Sequence, residues 1–214
     1  MPTALITGST DGIGLALARH LRSLGWRVIT HGRRLVAAAS EPDHCRADLA
    51  APATAARTLD SFLASRGICS LDLLVHNAAA GYVGSFTHQA DQGIRDLVAT
   101  NLQAPVAISH ALAAHVQAAR GKIVFIGSVV ASLPCPDFAV YTATKAALAG
   151  FVRSLRAERH LRAQILHPGA TPGNPARCGR SPLARSTAPS PAAPAASVPR
   201  WPPASGKPVI PSPS

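Results

Sequence analysis

The chain has 214 residues, of which 47% are hydrophobic, enough for one domain with a sizeable core. No stretch approaches the roughly 20 uninterrupted apolar residues of a membrane span, and no leader pattern precedes the first predicted strand, so we expect a cytoplasmic protein. The net charge is +11, but aromatic residues make up only 4% and many cations are scattered over predicted helices. We therefore expect no specific nucleic-acid partner.

Apolar runs and amphipathic stretches alternate along the first 172 residues. This alternation predicts an α/β fold, a Rossmann-like doubly wound parallel sheet with helices on both faces. We predict six strands, at residues 4–7, 27–30, 44–47, 71–76, 122–126 and 163–167, and helices near 13–25, 52–66, 92–120 and 140–160. The third helix should break near Asn101. Ligands of such sheets bind beyond the carboxyl ends of the strands.

A glycine-rich turn follows the first predicted strand. It reads Gly8-Ser-Thr-Asp-Gly12-Ile-Gly14 and leads directly into helical periodicity. Glycines permit a tight turn and a close approach of the backbone to a pyrophosphate, and a helix N-terminus supplies N–H groups with partial positive charge. We therefore predict a phosphate-binding turn. Its spacing differs from G-x-G-x-x-G, and a plain loop is the alternative.

A tyrosine and a lysine lie one helical turn apart in the last predicted helix. Tyr141 and Lys145 belong to Tyr-Thr-Ala-Thr-Lys, thirteen residues after Ser128, which follows the apolar run at 122–126. An ammonium at i+4 favours the ionised phenol and lowers its pKa from the usual value of about 10. The pair is predicted to transfer protons, and a solvated polar face is the alternative.

These motifs together resemble the short-chain dehydrogenase/reductase family, in its form of about 250 residues. The matching positions are Thr7 to Gly14 for T-G-x-x-x-G-x-G, His76-Asn77-Ala78-Ala79 for N-N-A-G, Asn101, Ser128, Tyr141 to Lys145 for Y-x-x-x-K, and Pro168-Gly169. They occur in the family's order from residue 3 to about 172. His76 and Ala79 depart from the pattern, and the Ala79 methyl is expected to weaken coenzyme binding.

The resemblance implies an oxidoreductase that moves a hydride between a nicotinamide coenzyme and a small carbonyl or secondary alcohol substrate. Tyr141 would be the acid or base, and Lys145 would lower its pKa and bind ribose hydroxyls. Ser128 would hydrogen-bond the substrate oxygen, and Asn101 would anchor a water that links Lys145 to solvent. Read without the family, Ser128 could be a strand-end turn residue and Asn101 a helix cap.

The resemblance also places the coenzyme along the carboxyl edge of the sheet. The expected contacts are Gly8, Ser9, Gly12, Ile13, Gly14, Arg33, Arg34, Asp48, Asn77, Ala78, Tyr141, Lys145, Pro168 and Gly169. Relatives that prefer NAD carry an acidic residue at the end of the second strand, where this chain has arginines that could pair with a 2′-phosphate. We expect NADP, with NAD possible. The arginines could instead be solvated charges, and Asp48 a helix cap.

The helix at 140–160 carries a broad apolar stripe, formed by Ala143, Ala147, Leu148, Phe151, Val152 and Leu155. In the family this helix and the one after Asn101 form a subunit interface, so a homodimer or homotetramer is expected, although an ordinary core helix would look similar. The cysteines and histidines lack metal-ligand spacing, and we expect neither a metal nor a disulfide framework.

The composition changes after Pro172. Residues 173–214 are rich in Pro, Ala, Ser and Arg and contain no acidic residue. Such a segment cannot bury enough surface to offset its chain entropy. We therefore divide the chain into a Rossmann-fold domain at 1–172, incomplete at its C-terminus, and a disordered tail at 173–214.

Family members continue instead with substrate-covering helices and a seventh strand. The tail is either a natural extension or, as we favour, the product of a reading-frame shift in a GC-rich gene. Gly173 occupies the position of the family's Thr in P-G-x-x-x-T, which puts contacts to the coenzyme carboxamide in doubt. A catalytically impaired nucleotide-binding remnant is therefore the alternative function, and a DNA-binding tail is a third.

Overall fold

The computed structural model describes residues 1–34, 42–158 and 160–169. The strands are β1 (Thr3–Ile6), β2 (Arg27–Gly32), β3 (His44–Arg46), β4 (Leu73–His76), β5 (Lys122–Ile126) and β6 (Arg162–Leu166). The helices are α1 (Gly12–Ser23), α2 (Pro52–Ser65), α3 (Asp91–Val98), α4 (Ala104–Ala111), α5 (Ala113–Ala118) and α6 (Ala139–Ala157). The predicted elements are present with small shifts at their ends. The tail predicted at 173–214 lies outside the described residues.

The six strands form one parallel sheet in the order β3-β2-β1-β4-β5-β6. The chain begins in the middle, moves outward to β3, and then crosses back to continue from β4 toward the other edge. The strand order therefore reverses between β1 and β4, where Leu5 pairs with Ile29 on one side and with Leu74 on the other. Sheets of this kind open a crevice at the carboxyl ends of the strands at this point. The predicted doubly wound fold is confirmed.

Helices cover both faces of the sheet, so its central strands are apolar on both sides. Successive side chains of a strand point to opposite faces. Leu5 accordingly belongs to a large core with residues of α2, α4 and α6, whereas Ala4 and Ile6 pack with Ala18 of α1 in a second core. All three residues of β1 are fully buried. This packing holds the carboxyl end of β1, and the turn that follows it, in a fixed place.

The apolar stripe predicted on the last helix divides into two parts in the structure. Leu148, Val152 and Leu155 of α6 are buried against the sheet. Ala143 and Ala147 are exposed. Phe151 is half-buried and packs against the same core. The exposed remainder of the stripe therefore consists of small side chains.

The long helix predicted at 92–120 is interrupted twice. After α3 a π-helical turn spans Ala99–Gln103, and a second break at Leu112 separates α4 from α5. Pro105 has no N–H to donate to the carbonyl of Asn101, so the regular α-helical ladder cannot continue through this point. The predicted break at Asn101 is thus present, and its cause is Pro105, four residues later in the chain.

None of the helices in the described ranges is both long enough and apolar enough to cross a membrane.

Candidate active site

The glycine turn between β1 and α1 has a backbone that only glycine adopts readily. Gly8 has a φ of +65°, and a Cβ on it would lie 2.8 Å from the Cα of Ala78. A Cβ on Gly14 would lie 2.5 Å from the Gly8 carbonyl oxygen. Because α1 begins at Gly12, the N–H groups of Gly12, Ile13 and Gly14 have no acceptor within the helix. This geometry suits an anion at the helix N-terminus.

Ser9 belongs to the predicted coenzyme contacts, but its side chain is used by the protein itself. It is 2% exposed. Its hydroxyl donates to the Ile6 carbonyl at 2.9 Å and accepts from the His31 N–H at 2.9 Å. The Ser9 N–H donates to the His31 carbonyl at 3.0 Å, and the Gly8 N–H donates to His31 Nδ1 at 3.2 Å. Sequence reasoning missed His31, which fastens the turn to β2.

Asn77 and Thr7 fasten the same turn from the other side. The Asn77 amide donates to the carbonyls of Thr7 and Gly8, both at 3.0 Å. Thr7 Oγ1 accepts from the N–H groups of Asn77 at 3.0 Å and Ala78 at 3.1 Å. The amide of Asn77 therefore shapes the turn through its own contacts. Thr7 is the first residue of the motif T-G-x-x-x-G-x-G. Its position in that motif could have identified it as a site residue.

Asn101 lies in the π-helical turn Ala99–Gln103 and is 1% exposed. Its Oδ1 accepts from the Ala80 N–H at 2.7 Å, and its Nδ2 donates to the Ala80 carbonyl at 2.9 Å and to Thr144 Oγ1 at 3.3 Å. Thr144 Oγ1 in turn donates to the Tyr141 carbonyl at 2.7 Å. Asn101 is therefore not a helix cap. It connects the loop after β4 to the helix that carries the tyrosine.

Lys145 is a buried cation beside Tyr141. It is 3% exposed, and its ammonium donates to the Ile126 carbonyl at 2.8 Å. The nitrogen lies 5.7 Å from the centroid of the Tyr141 ring. Burial lowers the pKa of Lys145 to about 8. Among the described residues no carboxylate forms an ion pair with it. The described part of the chain thus places a charge without a counter-ion at the carboxyl end of β5.

Ser128 follows β5 directly and lies beside the end of β6. Its hydroxyl accepts a long hydrogen bond of 3.4 Å from the Val130 N–H, so it also starts the short helical turn after the strand. Its carbonyl oxygen lies 2.9 Å from His167 Nδ1. Pro168 and Gly169 come next in the chain. The structure therefore brings the predicted serine and the predicted P-G segment together at one edge of the sheet.

Basic residues surround the ends of β2 and β3. Arg33 and Arg34 are exposed, and Arg46 Nε donates to the Arg33 carbonyl at 3.0 Å. Asp48 Oδ1 accepts from the Ala50 N–H at 3.1 Å, so it shapes the turn before α2 without being the N-cap of that helix. An open cavity of about 490 Å³ lies here and is lined by Arg33, Arg46, Ala47, Asp48, Ala51, Thr54, Ala55 and Thr58. Sequence reasoning missed Arg46. It follows the buried Cys45 in β3, and the alternation of a strand could have predicted an exposed cation at this position.

The two departures from N-N-A-G have different surroundings. His76 is buried in the core, where its ring stacks on Phe125 at 4.7 Å and its Nε2 lies 2.9 Å from Ser109 Oγ. Burial lowers the pKa of His76 to about 3, so this ring is neutral near pH 7. Ala79 is exposed beside the crevice. His76 therefore packs the core, and Ala79 lies at the surface.

A doubly wound sheet with a glycine turn at its reversal point and a Tyr-Lys pair beyond β5 defines a nucleotide-binding α/β protein. The model of the short chain dehydrogenase family matches residues 2–175. The chain belongs to this family.

Named relatives agree with that assignment. Short chain dehydrogenase asqE of Emericella nidulans is 35% identical over 176 residues, which cover 73% of this chain and 64% of that protein. Gluconate 5-dehydrogenase of Gluconobacter oxydans is 32% identical, with 78% of this chain and 70% of that protein covered. A metagenomic short-chain oxidoreductase solved in complex with NADP is 34% identical, with a TM-score of 0.70 and coverages of 79% and 82%. The chain thus spans less than two thirds of the first relative.

Proposed function

We propose that the chain is an NADP(H)-dependent oxidoreductase that interconverts a carbonyl compound and a secondary alcohol. The observation that carries the proposal is the buried ammonium of Lys145 beside Tyr141. A buried charge without a counter-ion costs several kcal/mol, so it is seldom kept for packing alone. Perturbed groups of this kind concentrate at functional sites. The nearby phenol is the group on which such a charge would act.

The residues present fit a dinucleotide coenzyme. The turn is open at Gly12, where an added Cβ would meet nothing within 4 Å, so a pyrophosphate would have room to approach the backbone there. The N–H groups at the start of α1 would receive its charge. Lys145 would bind the ribose hydroxyls near the nicotinamide, and Ile13, which is 38% exposed at the helix start, would contact the ring. When bound, the coenzyme supplies or accepts the hydride.

We assign each of the four side chains a role that is compatible with its position. Tyr141 donates a proton to the carbonyl oxygen in reduction and removes it from the hydroxyl in oxidation. The Lys145 ammonium favours the ionised phenol, because an opposite charge stabilises the phenolate. Ser128 donates a hydrogen bond to the substrate oxygen and positions it. Asn101 holds the loop after β4 against α6 and anchors a water between Lys145 and solvent.

The coenzyme preference depends on the cations at the ends of β2 and β3. Arg33 and Arg46 line one cavity, and a guanidinium pairs well with a phosphate. We expect Arg33→Ser to weaken NADPH binding at least about tenfold and to leave NADH binding within about twofold, as measured by fluorescence titration. Arg66, whose guanidinium stacks on Phe62 in α2, is the control position. Equal losses for both coenzymes in Arg33→Ser would argue against a 2′-phosphate site.

The loops beyond β4 and β5 favour an uncharged, apolar substrate. Four large apolar side chains of these loops are exposed, namely Val83, Phe86, Val129 and Leu133. Residues 77–90 and 127–138 contain no Lys or Arg, and Asp137 is their only acidic residue. Exposed apolar side chains near a site favour an apolar ligand, and neither loop offers a Lys or Arg side chain that could pair with a carboxylate. A ketone should therefore be reduced faster than the keto acid of the same length.

Replacement of the phenol tests the proposed chemistry. Tyr141→Phe should bind NADPH as the wild type does and lose at least about a hundredfold in kcat on a panel of carbonyl compounds. The second tyrosine of the chain offers a matched control, because Tyr82→Phe also removes one phenolic hydroxyl. Turnover by Tyr141→Phe at the wild-type rate would refute the role of the phenol. NADPH binding by the wild type without turnover of any compound would instead support the impaired nucleotide-binding remnant.

We also propose that two copies associate through the exposed face of α6. Ala143 and Ala147 expose small side chains there, which would let a second helix approach closely. Light scattering should report a homodimer or homotetramer, and Ala147→Glu should shift it toward the monomer. A monomeric wild type at micromolar concentration would contradict this part of the proposal.

A further inference from the structure

A buried histidine joins the glycine turn to the end of β2. His31 is 2% exposed, and its Nδ1 accepts the Gly8 N–H at 3.2 Å. A backbone N–H can only donate, so this nitrogen carries no proton. Burial lowers the pKa of His31 to about 4, which keeps the ring neutral near pH 7. The side chain is therefore a fixed neutral acceptor beneath the turn.

The backbone of the same residue holds the next position of the turn. The Ser9 N–H donates to the His31 carbonyl at 3.0 Å, and the His31 N–H donates to Ser9 Oγ at 2.9 Å. One residue thus engages two successive N–H groups, those of Gly8 and Ser9. Both N–H groups already have an acceptor and are therefore not available to an anion. Binding of an anion is left to the N–H groups at the start of α1.

The end of β2 is shaped to receive the turn. A Cβ on Gly32 would lie 2.5 Å from Thr10 Cγ2, so Thr10 sits where a side chain would otherwise be. Arg33 follows immediately, two residues after His31. The distance between the start of α1 and Arg33 therefore depends on how the turn is fastened to β2. In the proposed coenzyme complex the start of α1 would hold the pyrophosphate and Arg33 would hold the 2′-phosphate of the same molecule.

We propose that His31 is a positioning residue of the coenzyme site. By accepting the Gly8 N–H, it fixes the turn so that the start of α1 and Arg33 can engage the pyrophosphate and the 2′-phosphate together. This inference rests on the proposed NADP(H) dependence. The proposed role requires a hydrogen-bond acceptor at the position of His31 Nδ1. The size and the burial of the side chain matter less for this role.

Two variants whose side chains share the same branched arrangement of four heavy atoms separate these requirements. The side-chain oxygen of His31→Asn can replace Nδ1 as the acceptor, and His31→Leu offers none. We expect His31→Asn to bind NADPH within about threefold of the wild type and His31→Leu to bind it about tenfold more weakly, the equivalent of one hydrogen bond. The loss for NADH should be smaller, because NADH has no 2′-phosphate. In turnover assays the loss in His31→Leu should appear mainly as a higher KM for NADPH, because the change acts on the turn and not on Tyr141 or Lys145.

Titration of the full-length chain with NADPH and NADH measures these affinities, and thermal unfolding without coenzyme reports whether each variant is folded. If His31→Leu does not fold, His31→Phe replaces it, because phenylalanine keeps the ring shape and lacks the acceptor. Equal NADPH affinity in the Asn and Leu variants, whether reduced or not, would overturn the inference. Failure of the wild type to bind either coenzyme would instead refute the proposed function, and that result is obtained before any variant is compared.

Discussion

The buried ammonium of Lys145 should make the protein less stable than a variant without it. Lys145→Met keeps an unbranched side chain of similar length and removes the charge. The variant should therefore gain stability near neutral pH while it loses the proposed catalytic cation. This combination distinguishes a functional buried charge from one that is kept for structure.

The magnitude follows from the pKa and from one hydrogen bond. The fall in the pKa of Lys145 from 10.5 to about 8 corresponds, at about 1.4 kcal/mol per pH unit, to a burial cost of about 3 kcal/mol at pH 7. Lys145→Met also deprives the Ile126 carbonyl of its donor, which costs about 1–2 kcal/mol. The net gain in the free energy of unfolding should be about 1–2 kcal/mol at pH 7.

The dependence on pH gives the sharper measurement. Between the folded pKa of about 8 and the unfolded pKa of 10.5, the unfolded chain holds a proton that the folded chain has released. Wild-type stability therefore rises with pH in this window, and the advantage of Lys145→Met should shrink by about 2 kcal/mol between pH 7 and pH 9.5. Denaturant unfolding of both proteins without coenzyme at the two pH values measures the difference. Lys122→Met, which removes another lysine, is the control.

A stability difference between Lys145→Met and the wild type that stays constant over this range, or that changes no more than the Lys122→Met difference does, would show that burial does not depress the pKa of Lys145. Both proteins share every other titrating group, so their difference isolates Lys145.

Two further predictions concern the backbone contacts of the site. Asn101→Ala removes both hydrogen bonds to the Ala80 backbone and should lower the free energy of unfolding by about 2–4 kcal/mol in denaturant titrations; an unchanged midpoint would contradict the role of this amide. Gly8→Ala and Gly12→Ala share a positive φ, of +65° and +53°, but only at Gly8 does the new methyl meet Ala78. Gly12→Ala should cost about 1 kcal/mol and Gly8→Ala at least about 2 kcal/mol more. Equal shifts in Tm would exclude a steric cause.

The sequence predicted the order and type of the elements because their signals are local. The periodicity of apolar residues separates strands from helices within a few residues, and Gly8 to Gly14 marks a strand-turn-helix unit by composition alone. The break at Asn101 was also visible, since Pro105 lies one helical turn later. The family resemblance added the expected roles of Tyr141 and Lys145, which their one-turn spacing already suggested.

What each polar side chain contacts depended on the tertiary structure. Asn77 was expected beside the coenzyme. Its side-chain amide donates a hydrogen bond to the carbonyl of Gly8, 69 residues earlier in the chain. His31, a lone histidine in the sequence, fastens the turn 23 residues before it. Such contacts form because the sheet order places β1 between β2 and β4, and local periodicity carries no information about which strands become neighbours.

The chain alone thus determined a doubly wound α/β fold, a glycine turn and a tyrosine and a lysine on one helical face. Only the tertiary structure showed that Lys145 is buried without a counter-ion among the described residues, because burial is set by the packing of α6 against the end of β5. The same packing lowers the pKa of Lys145, since a charge removed from water loses its hydration. The sequence supplied the chemical groups, and the fold determined the environment in which they act.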